Sequence, residues 1–88
     1  AIGALIENRP DLTGEYVCRV SRDGGGRDDL LVVLESRGGT DEAQLGALLK
    51  QGLGVEVTTR LVPPGGTAAD TQIDVRQKPI RLIDERKS

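Results

Sequence analysis

Few side chains in this sequence could take part in chemistry. The sequence contains no histidine and one cysteine, Cys18. Nucleophile systems that pair serine or cysteine with histidine are therefore excluded, and so are metal sites built from cysteine and histidine. The remaining candidates are the adjacent carboxylates Asp28 and Asp29, the glycine run Gly24-Gly25-Gly26, and the segment around Lys78.

Each of these candidates has a plain structural interpretation. Cys18 alternates with apolar positions, which predicts a small core residue and no reactive thiol. Asp28 and Asp29 could bind Mg²⁺ in principle, but neighbouring carboxylates at a strand start are usually solvated. Residues 24–26 join two predicted strands, whereas phosphate-cradling glycine motifs lie between a strand and a helix. No metal site is predicted, and by residue type alone Lys78 is an ordinary exposed lysine.

Composition and charge exclude several classes of partner. The 12 basic and 14 acidic residues give a net charge of −2, and neither sign forms a long block. With Tyr16 as the single aromatic residue, the chain lacks both the basic face and the stacking platforms that nucleic acid requires. No apolar run approaches the roughly 20 residues that span a membrane, and no charged-then-apolar secretion leader is expected. A reducing, cytoplasmic location is predicted from the lone cysteine.

The first half of the chain predicts a helix followed by a β-hairpin. Ile2, Leu5 and Ile6 recur at helical spacing, which predicts a helix over residues 1–8 that stops before Pro10. Residues 15–22 alternate in the manner of a strand, with Cys18 and its even-numbered neighbours on one face and Arg19 on the other. The apolar run over residues 30–35 predicts a buried second strand.

The second half predicts a helix, a strand and a short terminal strand. Thr40 is a candidate N-cap, and the apolar stripe that follows predicts a helix ending at Gly52 or Gly54. Alternation over residues 54–62 predicts the third strand. A loop then runs from Pro63 to about residue 74, and a short extended piece covers residues 80–83.

These elements predict an α+β domain of 88 residues. The simplest packing is a small antiparallel sheet covered on one face by two helices. The arrangement is a split βαβ, ferredoxin-like fold with its first strand missing. The chain begins Ala1-Ile2-Gly3 without methionine, which predicts that residues 1–88 are a single small domain of a longer protein.

One segment resembles a known family. Gln77-Lys78-Pro79-Ile80-Arg81-Leu82-Ile83-Asp84 is similar to the C-terminal signature of phenylacetate–CoA ligases, roughly Gly-Lys-x-x-Arg-hydrophobic-hydrophobic-Asp. Lys78, Arg81 and Asp84 fall on its fixed positions. The resemblance continues in residues 2–10, in the strands that begin at Tyr16 and Asp28, in Leu53-Gly54-Val55 and in the Pro-Gly turn after Val62.

The resemblance implies a role as the mobile C-terminal domain of an adenylate-forming acid–CoA ligase. In this family a carboxylate attacks the α-phosphate of ATP, and CoA then displaces AMP to give a thioester. A large N-terminal adenylation domain of the same chain would bind ATP, Mg²⁺ and an aryl acid similar to phenylacetate. The isolated domain is expected to be inactive, and no residue of it is assigned to binding a cofactor.

Lys78 is the catalytic residue that the resemblance implies, with Arg81 and Asp84 as structural supports of its strand. A lysine ammonium that reaches the bridge between carboxylate and α-phosphate stabilises the transition state more than the ground state. Two features near Lys78 differ from the family pattern. Gln77 replaces the family's glycine, and the stretch from Gly65 to Lys78 is several residues longer. The extra length is either harmless or the mark of a specialised or weakened adenylation step.

A non-catalytic module is the alternative hypothesis. Small split-βαβ domains can pair edge to edge and hold a metabolite at the interface. The sheet edge left by a missing first strand favours a dimer with another copy. The sequence preceding Ala1 would distinguish the two hypotheses, since a ligase would carry an ATP-binding domain there.

Overall fold

A computed structural model of the chain describes residues 2–22, 25–26, 28–72 and 80–85. In chain order the elements are α1 (Ile2–Ile6), β1 (Leu12–Arg22), β2 (Asp28–Ser36), α2 (Glu42–Leu53), β3 (Thr58–Val62), α3 (Ala68–Thr71) and β4 (Leu82–Asp84). The predicted α+β class is confirmed. In the described part of the chain, no helix is long and apolar enough to cross a membrane.

The four strands form one sheet in the order β3-β2-β1-β4. β1 and β2 form the predicted antiparallel hairpin, but β3 is parallel to β2 and β4 is parallel to β1. The prediction of an antiparallel sheet is therefore wrong for both outer strands. For β3 the cause is the connection through α2, since a chain that crosses back along a helix returns to pair in the parallel sense.

One face of the sheet carries the apolar core, as predicted. Side chains from α1, the even-numbered positions of the hairpin and α2 form one buried cluster, namely Ile2, Ile6, Leu12, Cys18, Val32, Leu34, Leu45 and Leu49. Helices α1 and α2 also touch each other closely. A Cβ added at Gly52 would lie 2.6 Å from Cδ1 of Leu5, so glycine lets the α1 side chain reach the α2 backbone.

The opposite face is covered as well, which was not predicted. Val17 and Val33 are paired across the hairpin on this face and are 0% and 8% exposed. The turn over residues 64–67 and helix α3 lie beside them, with Thr67 and Thr71 fully buried. Because β3 and β4 occupy opposite edges of the sheet, the chain between them has to cross this face. The predicted loop from Pro63 to about residue 74 is thus partly helical.

Helix α2 has well-defined ends. Asp41 is its N-cap and accepts a hydrogen bond from the Gln44 amide, in place of the predicted Thr40. The Thr40 hydroxyl donates to Asp11 at 2.7 Å instead. Gly54 ends the helix with φ of 75°, and its N–H bonds to the Lys50 carbonyl, which is the left-handed cap that glycine favours. Strand β3 then begins at Thr58, so Val55 lies in the connection and is 51% exposed.

Candidate functional site

Lys78, Gln77 and Pro79 lie outside the described residues, so the structure does not test the catalytic prediction. The described chain stops at Gln72 and resumes at Ile80. These two ends are joined, because the Ile80 N–H donates to the Thr71 carbonyl at 2.8 Å. The described residues on either side of the segment that carries Lys78 therefore lie next to each other at the C-terminal end of α3.

Arg81 fixes the start of β4 to β1. Its guanidinium donates to the Tyr16 carbonyl and to Oε2 of Glu15, both at 2.9 Å, and it lies 4.7 Å from the centroid of the Tyr16 ring. The Arg81 carbonyl accepts from the Cys18 N–H at 2.8 Å. An arginine can satisfy a carbonyl, a carboxylate and an aromatic face together because its fork is planar and rigid.

Arg19 makes a second set of ion pairs on the covered face. Its guanidinium bonds to Asp70 of α3 at 2.6 Å and lies 3.5 Å from the carboxylate of Glu85, just after β4. The hydrogen bond with Asp70 raises the pKa of Arg19 above its usual value. The Glu85 N–H donates to the Val20 carbonyl at 2.6 Å, so the end of β4 is fixed through both backbone and side chain.

Glu35 holds the turn that leads into α3. It is only 4% exposed, yet its carboxylate accepts from the N–H groups of Gly65 and Thr67 at 2.8 and 3.1 Å. The hydroxyls of Thr67 and Thr13 donate to it at 2.6 and 3.1 Å. Burial by itself would raise the pKa of Glu35, but these hydrogen bonds outweigh burial and hold the pKa below its usual value.

Glu15 and Glu35 lie in the half of the sheet where β1 begins. β1 starts where the antiparallel β2 ends, and β3 ends there too, whereas Leu82 of β4 lies opposite Cys18 in the middle of β1. Glu35 holds the turn before α3 at this end, and Arg81 reaches Glu15 from the residue that precedes β4. No functional or structural role was predicted for Glu35 or Arg19. A sequence signal for Glu35 did exist, because it is the carboxylate that directly follows the apolar run of β2. A buried charge needs nearby donors, so a hydrogen-bonded role could have been predicted.

The other sequence candidates have structural roles. Cys18 belongs to the apolar core and is 8% exposed, as predicted, and burial raises the pKa of its thiol. Asp28 and Asp29 are exposed at the start of β2, and Asp28 pairs with Arg22 at 3.5 Å. Asp84 lies on β4, paired with Val20 in the strand register. Within the described ranges, no group of three His, Cys, Asp or Glu side chains could hold a metal ion.

Similar proteins define the class of this fold. The mixed sheet with its helices on both faces is the fold of domains found in CoA ligases. No protein-family model matches the sequence, and no curated protein matches it. The comparison therefore rests on solved structures.

Two solved structures illustrate the likeness. A domain of phenylacetate-coenzyme A ligase from Bacteroides vulgatus superposes with a TM-score of 0.75 at 21% identity, over 99% of this chain and 82% of that one. 2-Hydroxyisobutyryl-CoA ligase, in complex with 2-HIB-AMP and CoA in the thioesterification state, gives a TM-score of 0.77 at 24% identity. This match covers 98% of the present chain but only 19% of the ligase. The resemblance drawn from the sequence is thus confirmed at the level of the fold.

Proposed function

We propose that this chain is the mobile C-terminal domain of an AMP-forming carboxylate–CoA ligase that acts on an aryl acid similar to phenylacetate. The observation that supports this most is the superposition of nearly the whole chain on domains of two CoA ligases. In the larger of the two, the matched domain is about a fifth of the protein, at 19%. The proposal therefore assigns the substrate sites to an N-terminal adenylation domain of the same chain.

The proposed reaction has two steps. A carboxylate oxygen attacks the α-phosphorus of ATP, the bond to the β-phosphate breaks, and pyrophosphate leaves an acyl-adenylate behind. The sulfur of CoA then attacks the acyl carbon, its proton is lost, and AMP departs as the thioester forms. ATP, Mg²⁺ and the acid are bound by the N-terminal domain in this proposal, the location is cytoplasmic, and the isolated domain is inactive.

Lys78 is the catalytic residue of the proposal. Negative charge concentrates between the attacking carboxylate and the α-phosphate, and a lysine ammonium there stabilises the transition state more than the ground state. One such contact in a closed, poorly hydrated site contributes roughly 10²-fold to the rate. The described flanks support this role, because Arg81 and the Thr71–Ile80 hydrogen bond fix both ends of the lysine's segment to the domain. Movement of the domain would then carry the lysine with it.

Lys78→Ala in the full-length protein tests the proposal. We expect ATP–pyrophosphate exchange with phenylacetate or 2-hydroxyisobutyrate, the acids named by the two similar ligases, to fall about 10²-fold or more. Thioester formation from supplied acyl-adenylate and CoA should remain, because the lysine acts only in the first step. Lys50→Ala is the matched control, since Lys50 is a solvent-exposed lysine paired with Glu56. Equal loss of both half-reactions would refute the role.

A dimerisation or small-molecule-binding module is the second candidate. It is favoured by the position of β3 at one edge of the described sheet, because an edge strand offers backbone groups for pairing with another copy. Size-exclusion chromatography of the full-length protein distinguishes the candidates when it is combined with the exchange assay. A concentration-dependent dimer without ATP–pyrophosphate exchange would favour the module over the ligase.

A further inference from the structure

The outer edge of β3 is open, since β3 has no neighbour on that side in the described sheet. In a strand, the N–H and carbonyl groups point to alternate sides at successive residues. The Leu61 N–H shows which residues face the open edge, because it donates to Oε2 of Glu42 at 3.3 Å instead of to β2. Thr59, two residues earlier, therefore presents its N–H and carbonyl to the same edge.

A groove runs beside this edge, between β3 and α2. Its helix wall is formed by three residues without bulky side chains, Ala43, Gly46 and Ala47. A Cβ added at Gly46 would lie 3.1 Å from Oγ1 of Thr59, so the middle of this wall lies against Thr59. Small side chains on a helix face leave room for a second helix to pack at about 8–10 Å between axes.

Opposite charges lie at the two ends of the groove. Glu42, in the first turn of α2, is beside Leu61, and Lys50, in the last turn, bonds to Glu56 at 2.6 Å just before β3. Both charged residues are four positions from Gly46. A two-fold axis through Thr59 would therefore exchange the two ends and place Glu42 of each copy beside Lys50 of the other.

We propose that two copies of this chain associate through the β3 edge and the α2 groove, with both the strands and the helices antiparallel across a two-fold axis. The same surface is then used by both copies, as closed symmetry requires. The Leu61 N–H would pass from Glu42 to the Val57 carbonyl of the second copy, which frees Glu42 to meet Lys50 of that copy. The interface uses none of the residues assigned to the ligase reaction, so it does not depend on the proposed catalysis.

The sequence of β3 selects one antiparallel register. Pairing centred on Arg60 would place two arginines directly opposite each other, which is destabilising. Pairing centred on Leu61 would place Thr59 opposite Pro63, which has no N–H to donate. Pairing centred on Thr59 avoids both problems and places Leu61 opposite Val57, so that apolar side chains meet beneath the two helices.

Charge reversal in the full-length protein tests the interface. Sedimentation velocity over a concentration series should show a dimer. Glu42→Lys or Lys50→Glu alone should raise its Kd about tenfold or more, because like charges then meet at both symmetric positions. The two substitutions together should return the Kd close to the wild-type value, since each ion pair is restored with its charges exchanged. General damage to the helix would instead accumulate in the double variant.

A second variant tests the approach of the two helices. Ala47→Lys puts a long side chain between them near the two-fold axis and should abolish the dimer. Lysine is a good helix former and Ala47 is exposed, so circular dichroism should show an unchanged fold. Gln44→Lys is the matched control, because Gln44 is exposed on the same helix but does not line the groove. It should leave the Kd unchanged.

The outcomes separate this inference from the proposed function. A monomer at every concentration would overturn the interface, and so would a dimer that Ala47→Lys or the single charge reversals leave intact. ATP–pyrophosphate exchange is measured on the same samples. Exchange by a monomer contradicts the dimer alone, whereas a dimer with the expected pattern of variants but without exchange contradicts the ligase alone.

Discussion

Glu35 is the residue whose surroundings constrain the domain most tightly. It directly follows the apolar residues 30–34 of β2, and four donors surround its carboxylate, two from backbone N–H groups and two from threonine hydroxyls. A buried carboxylate is tolerated only when donors replace the lost water. The carboxylate therefore fixes the turn at residues 64–67 against β2, which sets the starting point of α3.

Glu35→Gln should strongly destabilise this small domain. The amide nitrogen of glutamine cannot accept a hydrogen bond, so donors that now point at one carboxylate oxygen would face another donor. Leaving buried donors unsatisfied costs about 3 kcal/mol in the free energy of unfolding. Urea unfolding measures the loss, and Glu56→Gln serves as the control because the Glu56 side chain is 82% exposed. Similar midpoints for both variants would contradict the assigned role.

Stability should fall in acid through Asp11 and Glu35. Hydrogen bonds from Arg9 and Thr40 lower the pKa of Asp11 from 3.8 to about 2, and the pKa of Glu35 is lowered too. A lowered native pKa gives stability that is complete above the unfolded-state pKa and is lost as pH falls through the native one. We expect urea midpoints to be flat above about pH 5 and to fall toward about pH 2. Asp11→Asn should flatten part of this decline, and an unchanged pH profile would argue against the Asp11 contacts.

Residue types and spacing predicted part of the candidate site and missed its supports. The spacing of Lys78, Arg81 and Asp84 suggested the family, and Arg81 does support its strand. Arg19 was placed on the correct face, but its partners Asp70 and Glu85 are 51 and 66 positions away in sequence. Contacts that depend on how the chain crosses a sheet face have no local signal in the sequence.

Among the elements, α2 is the one with the clearest sequence signals, and its caps are the part that can be tested. Asp41 accepts from the Gln44 amide at the N-terminus, and Gly54 adopts a left-handed φ of 75° at the C-terminus. Asp41→Ala removes the side-chain cap and should cost about 1 kcal/mol in unfolding free energy. Gly54→Ala forces a Cβ into the left-handed region and should cost about 1 kcal/mol as well.

The two cap variants also provide their own check. The helix has 12 residues and is thus about 18 Å long, so the caps are far enough apart for their effects to add. The double variant should lose about 2 kcal/mol in urea unfolding. Gln44→Ala is the control, because the Gln44 side chain is exposed and the cap uses only its backbone N–H. A loss in the control as large as in Asp41→Ala would mean that the cap is not the cause.

Helix α3 shows why short elements escape prediction from sequence. It has only four residues, and no side chain caps its N-terminus. Helices this short are not stable from propensity alone and depend on tertiary contacts. Its contacts come from Glu35 through the preceding turn and from Arg19 through Asp70. The residues that determine α3 therefore lie on β1 and β2, outside any local window.

At the scale of the whole molecule, the sheet is extensively paired at its centre and only briefly paired at the β4 edge. The central hairpin pairs over long strands, whereas β4 has three residues, and its Leu82 is 60% exposed. Elements with few buried contacts open locally at a lower free energy than the global unfolding. The edge that leads to Lys78 should therefore be able to loosen while the hairpin and the apolar core stay folded.

Hydrogen exchange on Arg81→Ala tests this separation. Arg81 contributes charge-assisted contacts to the Tyr16 carbonyl and to Glu15, and their loss should speed exchange of the Cys18 and Glu85 amides at least about tenfold. These two amides bond across the β1–β4 pair. Amides between β1 and β2 should exchange as in the wild type, because the hairpin does not need β4 to remain paired.

The control for that experiment lies on the other edge of the sheet. Arg60 is an exposed arginine on β3, and Arg60→Ala should leave the exchange of both reporter amides unchanged. Uniform acceleration over all strands in Arg81→Ala would mean that β4 unfolds only with the whole domain. In that case the described residues that flank Lys78 could not move independently of the core.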